Sequence, residues 1–280
     1  MTETLDLAAK GARGRLYLDA PSWEGLRTAA LGGFACETEA GGVALIELAK
    51  RRARENGCAA LIGPMDGDTW RRYRLVIESD GSPPFLLEPT SGAHDKAAFA
   101  AAGFAPVSEY VSSRATLDVA ILHGAGAPGD IAIAPWDGAD VEGCIARMFD
   151  MSLVAFARNP FYRPITRDVF VEIYRPVLPF IDPQDVLFAH DAGGRLVGFL
   201  FGYPDGPNGG ERKSVVLKTY ASVLHGAGRA LVDSFHREAR ARGFERVIHA
   251  LMHVDNISRA RSALYGGEVF RRYALMGARL

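Results

Sequence analysis

Apolar and polar residues recur along the chain with two periods, one typical of strands and one of helices. Short β-branched and apolar runs such as 213–222 have the composition of buried strands. In the stretch 223–244, Leu231, Phe235 and Ala239 fall on one helical face while mostly charged side chains fall on the other. Gly243 is suited to end that helix. The pattern therefore predicts an α/β chain in which strands and amphipathic helices alternate.

The same order of elements occurs twice. Gly42 and Leu45 stand in a Gly-rich turn and helix of the first half, and Gly228 and Leu231 hold the matching places in the second half. The repeat is weak, and duplication of one α/β unit is the simplest account of it. The N-terminal half has fewer residues before its turn, so it is the reduced copy.

A segment rich in glycine separates the two copies. Residues 122–130 contain three glycines and Pro128, which disfavour both helix and strand, so we expect a linker there. The predicted domains are residues 1–121 and 131–280. The pentapeptide LHGAG lies in this linker and recurs at 224–228, where a strand precedes it and an amphipathic helix follows. Only the second copy has the setting of a functional turn.

Composition excludes several classes of partner. Of the residues, 48% are hydrophobic and 23% are charged, and the formal net charge is −1, so no overall charge draws the chain to nucleic acid or to anionic lipid. No apolar run approaches the roughly 18 residues of a membrane span, and the N-terminus lacks the pattern of a secretory signal. We expect a cytoplasmic protein. Its cysteines, Cys36, Cys58 and Cys144, form no C-x-x-C pair, which argues against disulfides and a metal site.

The turn Gly226-Ala227-Gly228 carries the strongest chemical signal. A strand that feeds a glycine turn at a helix start leaves backbone N–H groups without partners, and the positive end of the helix dipole lies behind them. Such a turn is suited to a phosphate group. The same letters could also form a simple tight turn, so the ligand is a prediction that rests on this setting.

The second half resembles the GNAT superfamily of acyl-CoA N-acyltransferases. The resemblance rests on the strand VVLKTYAS, the glycine turn with its helix, the strand VIHALM, Asn256, and the closing EVFRRYALM. It implies two GNAT-like modules, each with a mixed, mostly antiparallel sheet flanked by helices. The first module is a degenerate copy, in which Ala40-Gly41-Gly42 stands at the glycine turn. It would line the acceptor site or stabilise the second module.

The resemblance also implies a coenzyme site, with acetyl-CoA or another acyl-CoA as co-substrate. In the family, the strand before the turn contacts pantetheine and the turn cradles the pyrophosphate. Two registers compete, one pairing Gly226 with Gly228 and one pairing Gly228 with Ala230; we prefer the first because it turns Leu231 and Val232 towards the sheet. It leaves Val223 where the family has Gln or Arg. The residues carried over are Tyr220, Ala221, Ser222, Val223, His225, Gly226, Ala227, Gly228, Arg229 and Asn256.

The catalytic and acceptor residues are less well marked. In the family a tyrosine before a glycine and the final strand can protonate the departing thiolate, so the resemblance makes Tyr265, before Gly266-Gly267, our candidate for this acid; Tyr273 is the reserve. We name no general base, since VVLKTYAS contains no Asp or Glu. Phe161 and Tyr162, in a loop flanked by prolines, are the candidate acceptor pocket.

The sequence thus predicts an acyl-CoA-dependent N-acyltransferase that acts on the amine of a small molecule by direct attack. Two alternatives stay open, namely a non-catalytic acyl-CoA-binding or interaction protein and an aminoacyl-tRNA-dependent transferase. Neither nucleic acid nor a membrane is expected as a partner, and whether the chain forms a homodimer is undecided.

Overall fold

The alternation of strands and helices is present in the structure. The computed structural model describes residues 3–124, 129–176, 181–206 and 213–280. Part of the predicted linker, residues 125–128, lies outside the described residues. Its first residue, Leu122, is still helical.

The chain folds into two compact units. The first contains Met1–Tyr110, Asn159–Arg163 and Arg271–Leu280, and the second contains Val111–Arg158 and Pro164–Phe270. These units do not coincide with the predicted domains, because segments of each half of the sequence belong to the other unit. The boundaries of the two copies as duplicated units stay a prediction.

The first unit holds five whole strands, two helices and parts of two further strands. Its elements are β1 (Thr4–Ala9), β2 (Ala12–Tyr17), β3 (Thr28–Cys36), α1 (Glu39–Glu55), β4 (Ala60–Gly63), β5 (Leu75–Ser79), α2 (Asp95–Ala101) and the beginning of β6 (Ala105–Thr116). The final strand, β12 (Glu268–Arg279), also belongs to this unit from Arg271 onwards.

The second unit begins within β6 and ends within β12. Its elements are α3 (Leu117–Leu122), β7 (Ile131–Pro135), α4 (Val141–Ala155), α5 (Arg167–Tyr174), β8 (Val186–Asp191), β9 (Leu196–Pro204), β10 (Ser214–Ser222), α6 (Ala227–Ala241), β11 (Arg246–His253) and α7 (Ile257–Leu264). The strand, helix and strand predicted around the glycine turn are thus confirmed as β10, α6 and β11.

Each unit has a mixed, mostly antiparallel sheet, as the sequence predicted. The order in the first unit is β1-β2-β3-β4-β12, with β5 also paired to β12, and among its described strands β3 and β4 form the parallel pair. The order in the second unit is β6-β11-β10-β9-β8-β7, and β10 and β11 are its parallel pair.

The two halves of the sequence exchange strands. In the first, β4 pairs with β12, which comes from the C-terminal end of the chain; in the second, β11 lies beside β6, which comes from the N-terminal half. A strand edge left open would expose unpaired N–H and C=O groups, and each exchanged strand covers one. This exchange explains why the compact units differ from the two copies of the repeat.

Helix α6 packs on the sheet of the second unit through the face that the sequence predicted. Leu231, Phe235 and Ala239 are at most 1% exposed. Gly202 of β9 faces the ring of Phe235, and a Cβ on that glycine would lie 2.5 Å from two ring carbons. The helix is therefore held close to the sheet, which places its N-terminus beside the end of β10.

Candidate coenzyme site and comparison with known structures

Strands β10 and β11 separate halfway along their length. They are paired from Ser214–Arg246 to Leu217–His249, and no further pairing between them is seen among the described residues. Beyond a register shift after Leu217, β10 continues to pair with β9 on its other side, up to Ser222. In β11, Leu251 adopts a φ of +58° just past the last pair. The two strands therefore diverge past this point, and one edge of β10 faces the space between them.

The glycine turn lies at the end of this edge. Gly226 is the N-cap of α6 with a φ of +87°, and it offers no side chain to cap the helix. The first helical hydrogen bond runs from Ala230 N to Gly226 O, so the amides of Gly228 and Arg229 have no helical acceptor. Together with the helix dipole, these amides favour an anionic group at this position.

Three side chains surround Gly228. A Cβ on this glycine would lie 2.9 Å from Ser222 Oγ, 3.0 Å from an Nη atom of Arg261 and 3.3 Å from the Tyr220 ring. Burial raises the pKa of Tyr220, and the charge and hydrogen bond of Arg261 offset part of that rise. The cluster thus brings one guanidinium to the first turn of α6.

Arg261 is the residue that sequence reasoning missed. It lies within α7, far along the chain from Gly228, and nothing in its neighbourhood distinguishes it from the other arginines. Val223, where the predicted resemblance would place Gln or Arg, is 55% exposed. The positively charged side chain at this turn therefore comes from α7 and not from the residues that precede the turn.

The remaining predicted coenzyme residues lie around the same turn. Ala221 and Ala227 are buried, whereas His225 and Arg229 are exposed. Asn256 caps α7, and its side-chain oxygen accepts a hydrogen bond from Ser258 N at 3.3 Å. All of them belong to the second unit.

Tyr265 follows α7 and is only 4% exposed. Its hydroxyl donates to Asp233 Oδ1 at 2.5 Å. Burial and, second, this carboxylate raise the pKa of the phenol, so Tyr265 is protonated at neutral pH. Its role as the acid stays a prediction. In the structure its hydroxyl proton is donated to Asp233. The reserve candidate, Tyr273, belongs to the first unit, where its buried hydroxyl donates to Glu88.

Phe161 and Tyr162 belong to the first unit. The Tyr162 ring lies 5.8 Å from that of Trp70, whose indole N–H donates to the carbonyl of Arg163 at 2.8 Å. Phe161 has a φ of +58°. An ion pair of 2.7 Å between Arg163 and Asp19 holds the same loop. The loop is therefore ordered by contacts that the sequence did not indicate, and its acceptor role stays a prediction.

The matching positions of the first unit are filled by its own chain. Beyond the last pair of β3 and β4, Met65 N donates to Leu31 O at 2.9 Å and Asp66 accepts from Gly33 N at 2.7 Å. The glycines of the turn lie inside α1, where Thr38 caps the amide of Gly41. A Cβ on Gly41 would collide with a backbone carbonyl oxygen. Among the described residues, the first unit has no comparable open edge at this place.

Comparison with known proteins identifies the fold. No protein-family model matches the sequence, and no curated protein matches it. Among solved structures, a tandem GNAT protein from the clavulanic acid biosynthesis pathway aligns over 99% of this chain and 83% of its own, with a TM-score of 0.59 and 18% identity. The chain has the tandem GNAT fold.

Two further solved structures are similar to this chain in fold. A GCN5-related N-acetyltransferase from Sphaerobacter thermophilus has a TM-score of 0.57 and 13% identity, over 96% of this chain and 76% of its own. A probable N-acyltransferase from Enterococcus faecalis has a TM-score of 0.56 and 9% identity, over 96% and 59%. At these identities the likeness concerns the fold.

Metal-ligating side chains are not clustered in the part of the chain that the structure describes. No group of three or more His, Cys, Asp or Glu side chains there is arranged so that it could hold a metal ion. None of the described helices combines the length and apolar character needed to cross a bilayer. The three cysteines are free thiols.

Proposed function

We propose that the protein transfers an acyl group from acyl-CoA to the amine of a small molecule. One observation carries the proposal: the uncapped first turn of α6 meets the open edge of β10, and the guanidinium of Arg261 lies over the turn. The tandem GNAT fold supports it, since two of the neighbours are described as an N-acetyltransferase and a probable N-acyltransferase.

The diphosphate of the coenzyme would be held by main-chain amides and one arginine. Gly228 and Arg229 supply the amides, and Arg261 supplies the charge that Val223 does not. The pantetheine arm is a chain of amides that can pair with a strand edge, and the edge of β10 up to Ser222 faces the space between β10 and β11. Asn256 and Tyr220 complete the proposed coenzyme residues together with Ala221, His225 and Ala227.

The acyl transfer itself requires few further groups from the protein. The neutral amine attacks the thioester carbonyl, the C–N bond forms, the nitrogen loses a proton to water, the C–S bond breaks, and the thiolate takes up a proton. Tyr265 is our candidate for that proton because its phenol is protonated at neutral pH. Its hydrogen bond to Asp233 must break before the proton can move to sulfur. We assign no base, and the acceptor residues Phe161 and Tyr162 are carried over from the sequence.

We further propose that one chain binds one coenzyme. In the first unit, Met65 and Asp66 hydrogen-bond along the edge of β3, and Lys10 O stands against the turn at Gly41. A coenzyme would have to displace these backbone contacts. The first unit is therefore proposed to be a copy that has lost the coenzyme site. The cytoplasmic location stays a prediction from the sequence.

The engagement of Tyr265 by Asp233 favours a second candidate function. With the phenol proton held in a 2.5 Å hydrogen bond and no assigned base, the same site would serve a protein that binds acyl-CoA without turnover. Release of free thiol in the presence of an amine separates the two functions. Binding that is never followed by thiol release, across a broad panel of amines, supports the second.

Calorimetry with acetyl-CoA tests the site. Gly228→Ala places a methyl group against Ser222 and Arg261, so we expect it to weaken binding at least tenfold, whereas Gly129→Ala, with nothing within 4 Å, leaves binding unchanged. Gly228 is a better position for this test than Gly226, because the positive φ of Gly226 would add backbone strain to any substitution. Equal affinity of Gly228→Ala and the wild type would place the coenzyme elsewhere.

A further inference from the structure

Helix α7 carries Arg261, but it does not pack on the sheet through an apolar face. Of its eight residues, all of which the structure describes, Ser262 alone is buried. The large apolar side chains of the helix are exposed, Ile257 to 62% and Leu264 to 70%. A helix of a globular protein is normally held by an apolar stripe. The position of α7, and with it that of Arg261, therefore depends on the contacts of Ser262 and of the two helix ends.

Two hydrogen bonds hold the side chain of Ser262. Its Oγ lies 2.6 Å from His249 Nδ1 of β11 and 2.5 Å from Ser113 Oγ of β6. All three residues are at most 4% exposed. A Cβ on Gly267, which follows the helix, would collide with Ser262 Oγ, so the chain passes close to this hydroxyl. The buried serine thus connects α7 to two strands of the sheet.

His249 also contacts α6, the helix that begins with the glycine turn. Its Nε2 lies 3.0 Å from Nε2 of His236, a buried residue of α6. Burial lowers the pKa of His249 to about 4, so at neutral pH its imidazole is neutral and has one donor and one acceptor. In either tautomer one ring nitrogen donates and the other accepts. The connection from α6 through His249 to Ser262 therefore does not depend on the direction of its hydrogen bonds.

This connection ends beside the proposed diphosphate position. The paired part of β10 and β11 runs up to Leu217–His249, so His249 stands where the two strands diverge. Arg261 is adjacent to Ser262 and, at 3.6 residues per turn, leaves α7 about 100° round the helix from it. With Ser262 bonded to the sheet, an Nη atom of Arg261 lies 3.0 Å from the place of a Cβ on Gly228. One imidazole thus contacts both helices that form the proposed anion site.

We propose that His249 and Ser262 are positioning residues of the coenzyme site, which hold the guanidinium of Arg261 where it meets the diphosphate. This inference rests on the proposed function and deepens it. Neither residue touches the coenzyme, and both act through Arg261. A long side chain loses conformational freedom when it binds a ligand, and a helix fixed in one place lowers that cost. The affinity that Arg261 contributes should therefore depend on the buried anchor of α7.

A double-variant cycle on the full chain tests this dependence by calorimetry with acetyl-CoA. Ser262→Ala should weaken binding about threefold to tenfold, because α7 loses its buried hydrogen bonds. In the Arg261→Ala background the same substitution should change the affinity by less than about twofold, because the arginine that it positions is absent. A purely structural effect of Ser262→Ala would lower the affinity by the same factor in both backgrounds.

Ser152→Ala is the matched control, because Ser152 is a buried serine of the same unit that lies in α4. It should bind acetyl-CoA like the wild type. His249→Leu removes the hydrogen bond to Ser262 from the other side and should reproduce the effect of Ser262→Ala, and thermal unfolding shows which variants are folded. At saturating acetyl-CoA, thiol release by Ser262→Ala should stay within about twofold of the wild type, since the affinity changes and the chemical step does not.

Inorganic pyrophosphate separates this inference from the proposed function, because it carries the diphosphate charge without an acyl group. We expect the same cycle with this probe. If pyrophosphate follows the cycle while acetyl-CoA gives no thiol release with any amine, the positioning role stands and acyl transfer falls.

The opposite result is equally distinct. If acetyl-CoA binding depends on Gly228 and Arg261 but not on Ser262 or His249, the proposed site stands and the positioning role is wrong. Equal losses in the two backgrounds, or no binding of either probe, would also overturn the inference.

Discussion

The guanidinium of Arg261 stands over Gly228, with an Nη atom 3.0 Å from the place that a Cβ of this glycine would occupy. The first turn of α6 thereby receives a positive charge from α7 in addition to its own dipole. This relationship gives the proposed coenzyme site its most direct test.

Arg261→Ala should weaken the binding of acetyl-CoA about tenfold to a hundredfold, because a hydrogen bond to a charged group contributes roughly 1.5–3 kcal/mol. Calorimetry measures the effect, and Arg261→Lys should restore part of it. Arg259→Ala removes the same charge from the same helix, at an exposed position, and should leave the affinity within a factor of two or so of wild type. If both alanine variants bound equally well, Arg261 would have no part in the site.

Tyr265→Phe distinguishes an acid from a structural tyrosine. If Tyr265 protonates the departing thiolate, the rate of thiol release at saturating acetyl-CoA should fall at least tenfold, while the dissociation constant of acetyl-CoA stays the same. The variant also leaves the buried Asp233 without its 2.5 Å donor, so thermal unfolding is measured in parallel. A folded variant with an unchanged rate would mean that another group supplies the proton.

Because His249 is buried, we expect the free energy of unfolding to depend on pH. Its pKa falls from 6.5 in the unfolded chain to about 4 in the native protein. Between these values the unfolded chain binds a proton that the native chain does not, so stability is fully present above about pH 6.5 and declines as the pH falls towards 4. The loss for this residue is about 3 kcal/mol, and His236 acts in the same direction.

Denaturant unfolding at a series of pH values measures this decline. His249→Gln should flatten the curve, whereas His225→Gln, at an exposed position on the α6 turn, should leave it unchanged. A curve of the same steepness in the His249 variant would show that the loss comes from other groups.

A buried ion pair in the first unit carries a prediction about stability. Arg271 donates to Glu88 Oε2 at 2.6 Å, and their side chains are 4% and 0% exposed. Glu88→Ala leaves the buried arginine with Ser82 and, at 3.9 Å, Asp80, removes the acceptor of the Tyr273 hydroxyl, and should cost about 3 kcal/mol of unfolding free energy. The control is Glu78→Ala, since its ion pair with Arg272 on the same strand is largely exposed and should contribute less than about 1 kcal/mol.

A double variant, Glu88→Ala with Arg271→Ala, completes this cycle. Because the two residues contact each other, its cost should be smaller than the sum of the single variants. Strict additivity would mean that the pair makes no specific contribution to the first unit.

The local elements of this protein follow from its sequence. The spacing of Leu231, Phe235 and Ala239 predicts the buried face of α6, and Gly226 and Gly243 mark its two ends, where the chain takes positive φ values. Periodicity and glycine placement act over a few residues, so one sequence is enough to locate a strand, a turn and a helix. The resemblance to GNAT proteins rested on those same local signals.

Tertiary structure alone decided which distant residues meet. Three features join segments far apart in the chain: Arg261 over Gly228, Tyr265 against Asp233, and the exchange of β6 and β12 between the two halves of the sequence. Such contacts depend on how helices pack on a sheet and on which open edge a strand covers. Neither leaves a periodic trace in the sequence, so the site's geometry had to be observed.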